Sequence, residues 1–225
     1  MLFDLSNAQK KEIPMTSQCD VSSQVAFWKG AFGTSYLERN IPNPSALASR
    51  TRMWERVLSP ISNTLPSSIL EVGANIGINL HALAGLTTSN LYAVEPNTQA
   101  RHELAKSKIV PTEHIFDGIA SALPFGDQTI DFVFTSGVLI HVHPEDLLAS
   151  TAEMYRVSSR YIACIEYFSD KPEEINYRGN KGMLFKRDFG AFWFDNFPNI
   201  KLLDYGFFWK RATQIDNLTW WLFEK

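Results

Sequence analysis

Five short apolar segments alternate with segments of helical periodicity, and this alternation restricts the fold more than any other feature of the chain. The apolar segments are Ile69–Val72, Leu91–Val94, His114–Phe116, Ile130–Thr135 and Tyr161–Glu166. Parallel strands need crossover connections, which are usually helices, and strands buried on both faces are apolar throughout. The sequence therefore predicts an α/β fold with a parallel sheet and helices on both faces.

Further elements are predicted on either side of this alternation. The segments Lys201–Trp209 and Leu218–Glu224 are separated by a short polar turn, which indicates an antiparallel pair of strands. Asn43 followed by Pro44 is typical of a helix start, with Asn as the N-cap. Pro144 is expected to begin another helix, which ends at Val157.

Composition limits the classes of partner. The chain has 21 Lys and Arg against 24 Asp and Glu, so it lacks the basic excess that neutralises a phosphate backbone. No stretch is apolar over the length that spans a bilayer, and the first residues lack the pattern of a signal peptide. Cys19 and Cys164 are too few for a disulfide framework. We expect a cytoplasmic monomer or homodimer that binds neither nucleic acid nor a membrane.

Glycines and polar residues follow four of the predicted strands. In chain order they are the loop Glu71 to Gly77 (EVGANIG), Glu95, the pair Asp117-Gly118 and the pair Ser136-Gly137. Glu95 lies 22 residues after Gly73, the spacing at which an acid meets ribose hydroxyls at the carboxyl edge of a sheet. Each acid alone is equally consistent with a helix cap, but the ordered set indicates a nucleoside site.

Asn75 stands where a dinucleotide-binding loop has its middle glycine. Asparagine tolerates left-handed backbone geometry, but its side chain would crowd a phosphate resting on the loop. The loop therefore favours a nucleoside ligand without phosphates, such as S-adenosylmethionine.

The loop EVGANIG, Glu95, the Asp117-Gly118 pair and the segment LPFGDQTIDFVFTSGVLIHV resemble class I S-adenosylmethionine-dependent methyltransferases. The segments FWKGAFGTSYLERN, SGVLIHV, EYFSDKPEEINYRGNKGMLFKRDF and LTWWLFEK are similar to methylases associated with pseudaminic acid biosynthesis. The resemblance implies a Rossmann-like, seven-stranded, mostly parallel sheet with an antiparallel last strand and an N-terminal helical cap. Residues 1–22 are polar and aperiodic and are expected to form a flexible tail. We expect cap helices over 23–62 and a cofactor-binding domain over 63–225, with an insertion over 168–200, where the pattern changes, lining the substrate side.

The same resemblance assigns residues to parts of S-adenosylmethionine. The residues assigned to the methionine portion and the sulfonium are Arg39, Asn40, Glu71, Gly73, Asn75, Gly77, Ser136, Gly137 and Val138. Those assigned to the ribose and the adenine are Glu95, Pro96, Asp117 and Gly118. Arg39 is equally consistent with a solvated charge at a helix end.

Four side chains are candidates for the chemistry, namely Tyr36, Ser136, His141 and Tyr177. Aromatic rings attract a cationic sulfonium, and a histidine has the pKa range of a general base. His141 and His143 do not form a metal site, because the required third ligand is not evident nearby. Arg178, Lys186 and Arg187 suit either an anionic acceptor or a solvated face.

Three functions fit this pattern. The first is methyl transfer from S-adenosylmethionine to a small sugar-like or amino-acid-like metabolite. The second is a lyase that cyclises S-adenosylmethionine itself to azetidine-2-carboxylate and methylthioadenosine, as some similar proteins do. The third is a cofactor-binding module without catalysis.

Overall fold

The computed structural model describes residues 21–37 and 43–225. Nine strands lie in this part of the chain: β1 Ser68–Val72, β2 Asn90–Val94, β3 Ile115–Phe116, β4 Ile130–Ser136, β5 Ser158–Glu166, β6 Glu173–Glu174, β7 Phe185–Lys186, β8 Lys201–Phe208 and β9 Leu218–Glu224. The same residues form eight α-helices: α1 Val21–Lys29, α2 Ala31–Leu37, α3 Pro44–Leu58, α4 Ile78–Ala84, α5 Thr98–Ser107, α6 Leu147–Val157, α7 Phe189–Asn196 and α8 Lys210–Thr213.

Seven strands form one sheet in the order β3-β2-β1-β4-β5-β9-β8. The first five strands pair in parallel, and β9 pairs antiparallel with both β5 and β8. This arrangement confirms the predicted seven-stranded sheet with its antiparallel last strand. The order of the strands reverses between β1 and β4, and ligands of open sheets bind at the carboxyl ends beside such a reversal.

The sheet is buried on both faces because its central strands are apolar throughout. Ile69, Leu70, Phe132 and Val133 have no exposed surface, and neighbours along a strand belong to different core clusters. Helix α3 covers one face through Trp54, which contacts the ring of Phe134 at 4.4 Å between centroids. Helices on both faces leave the carboxyl edge of the sheet as the place where polar loops gather.

Two short helices, α1 and α2, form the cap, which we define as Val21–Leu37. The cap confirms the expected N-terminal helices and reaches the carboxyl edge through Trp28, whose ring lies 4.7 Å from that of His141. Positions 1–20 of the predicted tail lie outside the described residues. The predicted domain boundaries stay expectations.

The two predicted helix starts differ in outcome. The Asn43 side chain accepts a hydrogen bond from the Ala46 amide, which confirms it as the N-cap of α3. The prediction that α6 begins at Pro144 is wrong, because the helix begins at Leu147 after the turn that follows Pro144. The Ser150 amide donates to the Asp146 carbonyl, so the first residue of the helix lies three positions beyond the expected one.

The predicted insertion over 168–200 forms the β6–β7 hairpin and α7. Helix α7 packs on the last strands through Trp193, whose ring lies 6.0 Å from that of Phe223. The hairpin region reaches the cap, since the carbonyl of Gly182 accepts from Gln24 at 2.6 Å. The insertion therefore contacts the cap, and its predicted position on the substrate side stays a prediction.

Candidate active site

A large cavity opens at the carboxyl edge, with about 1320 Å³ of empty space that includes its open mouth. Its wall is formed by the loops after β1, β2, β3 and β4 together with the cap and part of α3. The predicted residues that line it are Tyr36, Glu71, Gly73, Asn75, Glu95, Pro96, Gly118, Ser136, Gly137, Val138 and His141. The fold thus brings most of the predicted set to one place.

The loop after β1 uses the left-handed backbone region repeatedly. Gly73, Asn75 and Gly77 have φ angles of 77°, 50° and 78°. A Cβ atom on Gly73 would lie 2.6 Å from a Val138 methyl group, so the loops after β1 and β4 touch here. The Asn75 side chain accepts from the Ile76 amide at 2.8 Å. That bond occupies an N–H group that a phosphate would need, which agrees with a ligand lacking phosphates.

Glu95 is buried at the end of β2 and held by backbone donors. One carboxylate oxygen accepts from the Asn75 amide at 2.7 Å and the other from the Asn97 amide at 2.8 Å. Burial raises the pKa of Glu95, and the two amide donors oppose that rise. Each oxygen keeps a further lone pair, so the carboxylate can also accept from two ligand hydroxyls.

Glu71 has one oxygen paired and one without a partner. Oε1 accepts from the Asn79 side chain at 2.6 Å, whereas Oε2 is buried without a hydrogen-bond partner among the residues described. Burial raises the pKa of Glu71 to about 8. A buried polar atom without a hydrogen-bond partner is costly, so this oxygen marks a place where a polar group of a ligand would bind.

Arg50 on α3 supplies a cation to the same cavity and is a residue that the sequence analysis missed. Its guanidinium donates to the Met53 sulfur at 3.6 Å, a weak acceptor, and it interacts electrostatically with Glu71. Burial lowers the pKa of Arg50. A ligand carboxylate would be a stronger partner for this group. The predicted carboxylate-binding residues Arg39 and Asn40 lie outside the described residues.

The loop after β4 is held by Glu166, which the sequence analysis also missed. Its carboxylate accepts from the amides of Val138, Leu139 and Ile140 at 3.2, 3.1 and 3.4 Å. Burial raises the pKa of Glu166 to about 7. These bonds fix the backbone of Val138–Ile140, just after Ser136 and Gly137. The sequence signal for them is an acid at the end of an apolar strand.

Aromatic side chains form the wall opposite the sheet. The Trp28 ring contacts Tyr36 at 5.6 Å and His141 at 4.7 Å between centroids. The indole N–H of Trp28 is buried without a hydrogen-bond partner in the described part of the chain. This wall therefore presents aromatic ring faces to a ligand, together with the indole N–H of Trp28 as a hydrogen-bond donor.

His141 is neutral at physiological pH. Burial lowers the pKa of His141 to about 4, against a smaller opposing effect of the Met183 carbonyl, which lies 2.6 Å from Nδ1. A neutral ring that donates from Nδ1 to this carbonyl has Nε2 as its acceptor atom. The side chain can therefore accept a hydrogen bond from a ligand, but it is a weak base.

Three of the predicted residues within the described part of the chain do not line the cavity. Gly77 faces helix α5, since a Cβ atom there would overlap a Leu104 methyl group, and its assignment to the methionine portion stays a prediction. The Asp117 carboxylate is 54% exposed and pairs with Arg101 at 3.2 Å and Lys29 at 3.6 Å. Tyr177 lies behind His141, with 5.0 Å between the ring centroids. Their assignments to the adenine and to the chemistry stay predictions.

The basic residues of the insertion also lie away from the cavity wall. Arg178 lies over Tyr177, Lys186 over Tyr167 and Arg187 over Phe192, at 5.9, 5.8 and 4.5 Å from the ring centroids. An anionic acceptor finds no support in this arrangement, because these cations stack on aromatic rings of the protein itself.

The described residues show neither a cluster of metal ligands nor a helix suited to a bilayer. No cluster of three or more His, Cys, Asp or Glu side chains in residues 21–37 and 43–225 has the arrangement of a metal site. Within the same ranges, the helices are too short or too polar to cross a bilayer.

The sequence and the structure are both similar to those of known proteins. A family model described as "Methyltransferase domain" matches residues 70–160, which run from β1 into β5. A search of curated protein sequences finds no match. The structure is similar to 1,6-didemethyltoxoflavin-N1-methyltransferase of Burkholderia thailandensis, solved with S-adenosylhomocysteine, at 15% identity and a TM-score of 0.69, covering 95% of this chain and 92% of that one.

Two other solved structures show what this fold accommodates. Magnesium protoporphyrin IX methyltransferase of Synechocystis PCC 6803, solved with S-adenosylmethionine, matches at 14% identity and a TM-score of 0.65, covering 94% of this chain and all of that one. The [4+2]-cyclase SpnF matches at 10% identity and a TM-score of 0.58, covering 78% and 81%. The predicted cofactor is thus one that neighbours of this fold bind. The chain has the Rossmann-like fold of class I S-adenosylmethionine-dependent methyltransferases.

Proposed function

We propose that this protein binds S-adenosylmethionine in the cavity at the carboxyl edge and transfers its methyl group to a small metabolite. The observation that carries the proposal is the buried carboxylate of Glu95, oriented into the cavity by the amides of Asn75 and Asn97. A carboxylate held in this way is prepared to bind two vicinal hydroxyl groups, as a ribose presents them.

Other residues of the cavity suit the remaining parts of the cofactor. The unpartnered oxygen of Glu71 would accept from the methionine amino group, and Arg50 would pair with the carboxylate. The backbone of Gly118 and Ile119 lies at the wall where an adenine ring would rest. Ser136–Val138 would border the sulfonium, which supplies an activated methyl group to a nucleophile in line with the C–S bond.

The acceptor side of the cavity is aromatic, and the cavity lining adds one acid, Asp146, to Glu71 and Glu95. Trp28, Tyr36, His141 and Gln24 form this wall, and they offer hydrogen bonds without a formal charge. Since the sulfonium is already activated, the protein's main contribution is to orient the acceptor and to exclude water. This chemistry favours a small neutral metabolite, and the resemblance to pseudaminic acid-associated methylases points to a sugar-like or amino-acid-like compound.

Cyclisation of the cofactor itself is a second candidate, and the weak basicity of His141 favours it. A neutral amine of the methionine portion would attack its own γ-carbon and the C–S bond would break. Methylthioadenosine would leave as a neutral molecule, and the positive charge of the sulfonium would pass to the ring nitrogen, which keeps both its hydrogens. No deprotonated acceptor is needed, so an aromatic wall whose histidine has a pKa of about 4 suits this reaction. The half-buried cation of Arg50 would favour the neutral form of a nearby amine.

Product analysis separates these functions. The purified protein is incubated with S-adenosylmethionine alone and then with a metabolite extract, and the products are identified by mass spectrometry. Methyl transfer predicts S-adenosylhomocysteine and a methylated compound only when the extract is present. Methylthioadenosine and azetidine-2-carboxylate from the cofactor alone would contradict methyl transfer. Binding measured by calorimetry without turnover in either incubation would indicate a binding module.

A further inference from the structure

The cap is joined to the cofactor cavity through buried and exposed contacts of different strength. At the end of α1, Lys29 pairs with Asp117 at 3.6 Å, but both side chains are about half exposed, and such pairs contribute little. At the other side, buried Gln24 donates to the Gly182 carbonyl at 2.6 Å. A third polar contact comes from Asn97, which is 3% exposed.

The Asn97 side-chain amide binds the end of helix α1. Its Nδ2 atom lies 3.1 Å from the Trp28 carbonyl, 3.5 Å from the Lys29 carbonyl and 3.4 Å from the Thr34 hydroxyl oxygen. The last carbonyls of a helix have no donor within the helix, so an amide from elsewhere satisfies them. This bond holds the turn of the cap that carries Trp28 against the cavity.

The other atoms of Asn97 are bound to the cofactor side. Its backbone amide donates to Glu95 at 2.8 Å, and its Oδ1 atom accepts from the Ala100 amide as the N-cap of α5. One residue thus contacts the predicted ribose acid, the start of α5 and the cap. The contact is close, because a Cβ atom on Gly33 would lie 2.9 Å from Nδ2.

We propose that Asn97 is a positioning residue that holds the cap closed over the cofactor cavity and thereby couples cap closure to cofactor retention. The coupling to the cofactor rests on the proposed function, whereas the hold on the cap does not. A cofactor enclosed by the closed cap favours that state, and linkage requires the closed state to favour the cofactor equally. Loss of the amide donor therefore opens the cap more often and lets the cofactor leave faster.

The substitution Asn97→Ser separates the two roles of the side chain. Serine still caps α5, but it is too short to donate to the end of α1. The matched control is Asn43→Ser, which changes an asparagine N-cap of α3 and leaves the cap contacts in place. Both variants and the unaltered protein are followed by hydrogen exchange without ligand.

We expect Asn97→Ser to exchange about tenfold faster in α1 and α2, as the loss of one net hydrogen bond implies, with α5, β4 and β5 unchanged. Asn43→Ser should leave α1 and α2 as they were. Equal exchange in the cap of all three proteins would overturn the proposal. Faster exchange throughout Asn97→Ser, including β4 and β5, would also overturn it, because it would show general destabilisation.

The effect on cofactor retention is measured with S-adenosylhomocysteine as the probe, because this compound has no methyl group to transfer. We expect its dissociation rate to rise about tenfold in Asn97→Ser with a smaller change in the association rate, and Asn43→Ser to match the unaltered protein. An unchanged dissociation rate would refute the coupling. If the unaltered protein does not bind the probe, the proposed function fails, and the exchange measured without ligand still decides the role of Asn97.

Discussion

The two walls of the cavity are built in different ways. On the sheet side, Glu71, Glu95 and Ser136 lie at the ends of adjacent parallel strands, so the topology alone brings them together. On the cap side, the contacts join distant parts of the chain: Asn97 binds Trp28 across 69 residues and Gln24 binds Gly182 across 158. We call the sheet side the cofactor wall and the cap side the acceptor wall. Sheet topology determines which residues meet at the cofactor wall, whereas contacts between distant parts of the chain determine the acceptor wall.

The strongest test of the cofactor wall is Glu95→Ala. We expect the affinity for S-adenosylmethionine to fall about 100-fold, because two hydrogen bonds to a charged group are lost at about 1.5 kcal/mol each. Calorimetry measures the change. Glu113→Ala removes an exposed acid and should bind as the unaltered protein does. An unchanged affinity of Glu95→Ala would mean that the nucleoside binds elsewhere.

The next test asks whether the contact between the loops after β1 and β4 needs a glycine. Gly73→Ala places a methyl group at a φ of 77° and 2.6 Å from Val138. We expect a loss of roughly 2 kcal/mol, which lowers the melting temperature by about 4–8 °C. Gly85→Ala meets only ordinary contact at 3.5 Å and should melt within about 2 °C of the unaltered protein. Equal melting temperatures for the two variants would show that the contact between these loops does not need a glycine at position 73.

The pH dependence of stability tests the burial of Glu71. Its pKa is about 8 in the folded protein against 4.5 for the ordinary group, so the folded state keeps a proton that the unfolded state loses. The free energy of unfolding therefore falls as the pH rises through this window. In Glu71→Gln the decrease between pH 5 and pH 9 should be smaller by at least about 1 kcal/mol. Denaturant titrations across this range measure it, and Glu95 and Glu166, whose pKa values burial also raises, contribute to the slope that remains. Parallel curves for the two proteins would contradict the burial.

The smallest expected effect concerns the acceptor wall. Because burial lowers the pKa of His141 to about 4, this residue should contribute no inflection near pH 6.5 to the rate of S-adenosylmethionine turnover. His141→Gln should lower turnover by less than roughly 100-fold, the lower limit of general base catalysis. An inflection near pH 6.5 that this substitution abolishes would show His141 to be a general base.

Sequence alone predicted the sheet and its carboxyl edge because strand periodicity and the spacing of Glu95 are local signals. The backbone geometry of Asn75 was predicted in the same way. The start of α6 was misplaced, because proline at a turn and proline at a first helical position look alike in sequence.

Arg50, Glu166 and Asn97 were missed for a shared physical reason. Each acts through partners that are distant in the chain, and their own surroundings in the sequence resemble an ordinary helix, strand end and helix cap. The outward position of Asp117 arises similarly, since Lys29 from the cap and Arg101 from α5 pair with it. No local pattern reports such pairs.

A crystal structure with S-adenosylhomocysteine tests the central claim most directly. We predict the two ribose hydroxyls within hydrogen-bond distance of the Glu95 carboxylate, the amino group at the free oxygen of Glu71, and the cap closed over the sulfur. A nucleoside bound away from Glu95, or a cavity that stays empty at saturating ligand, would contradict the account.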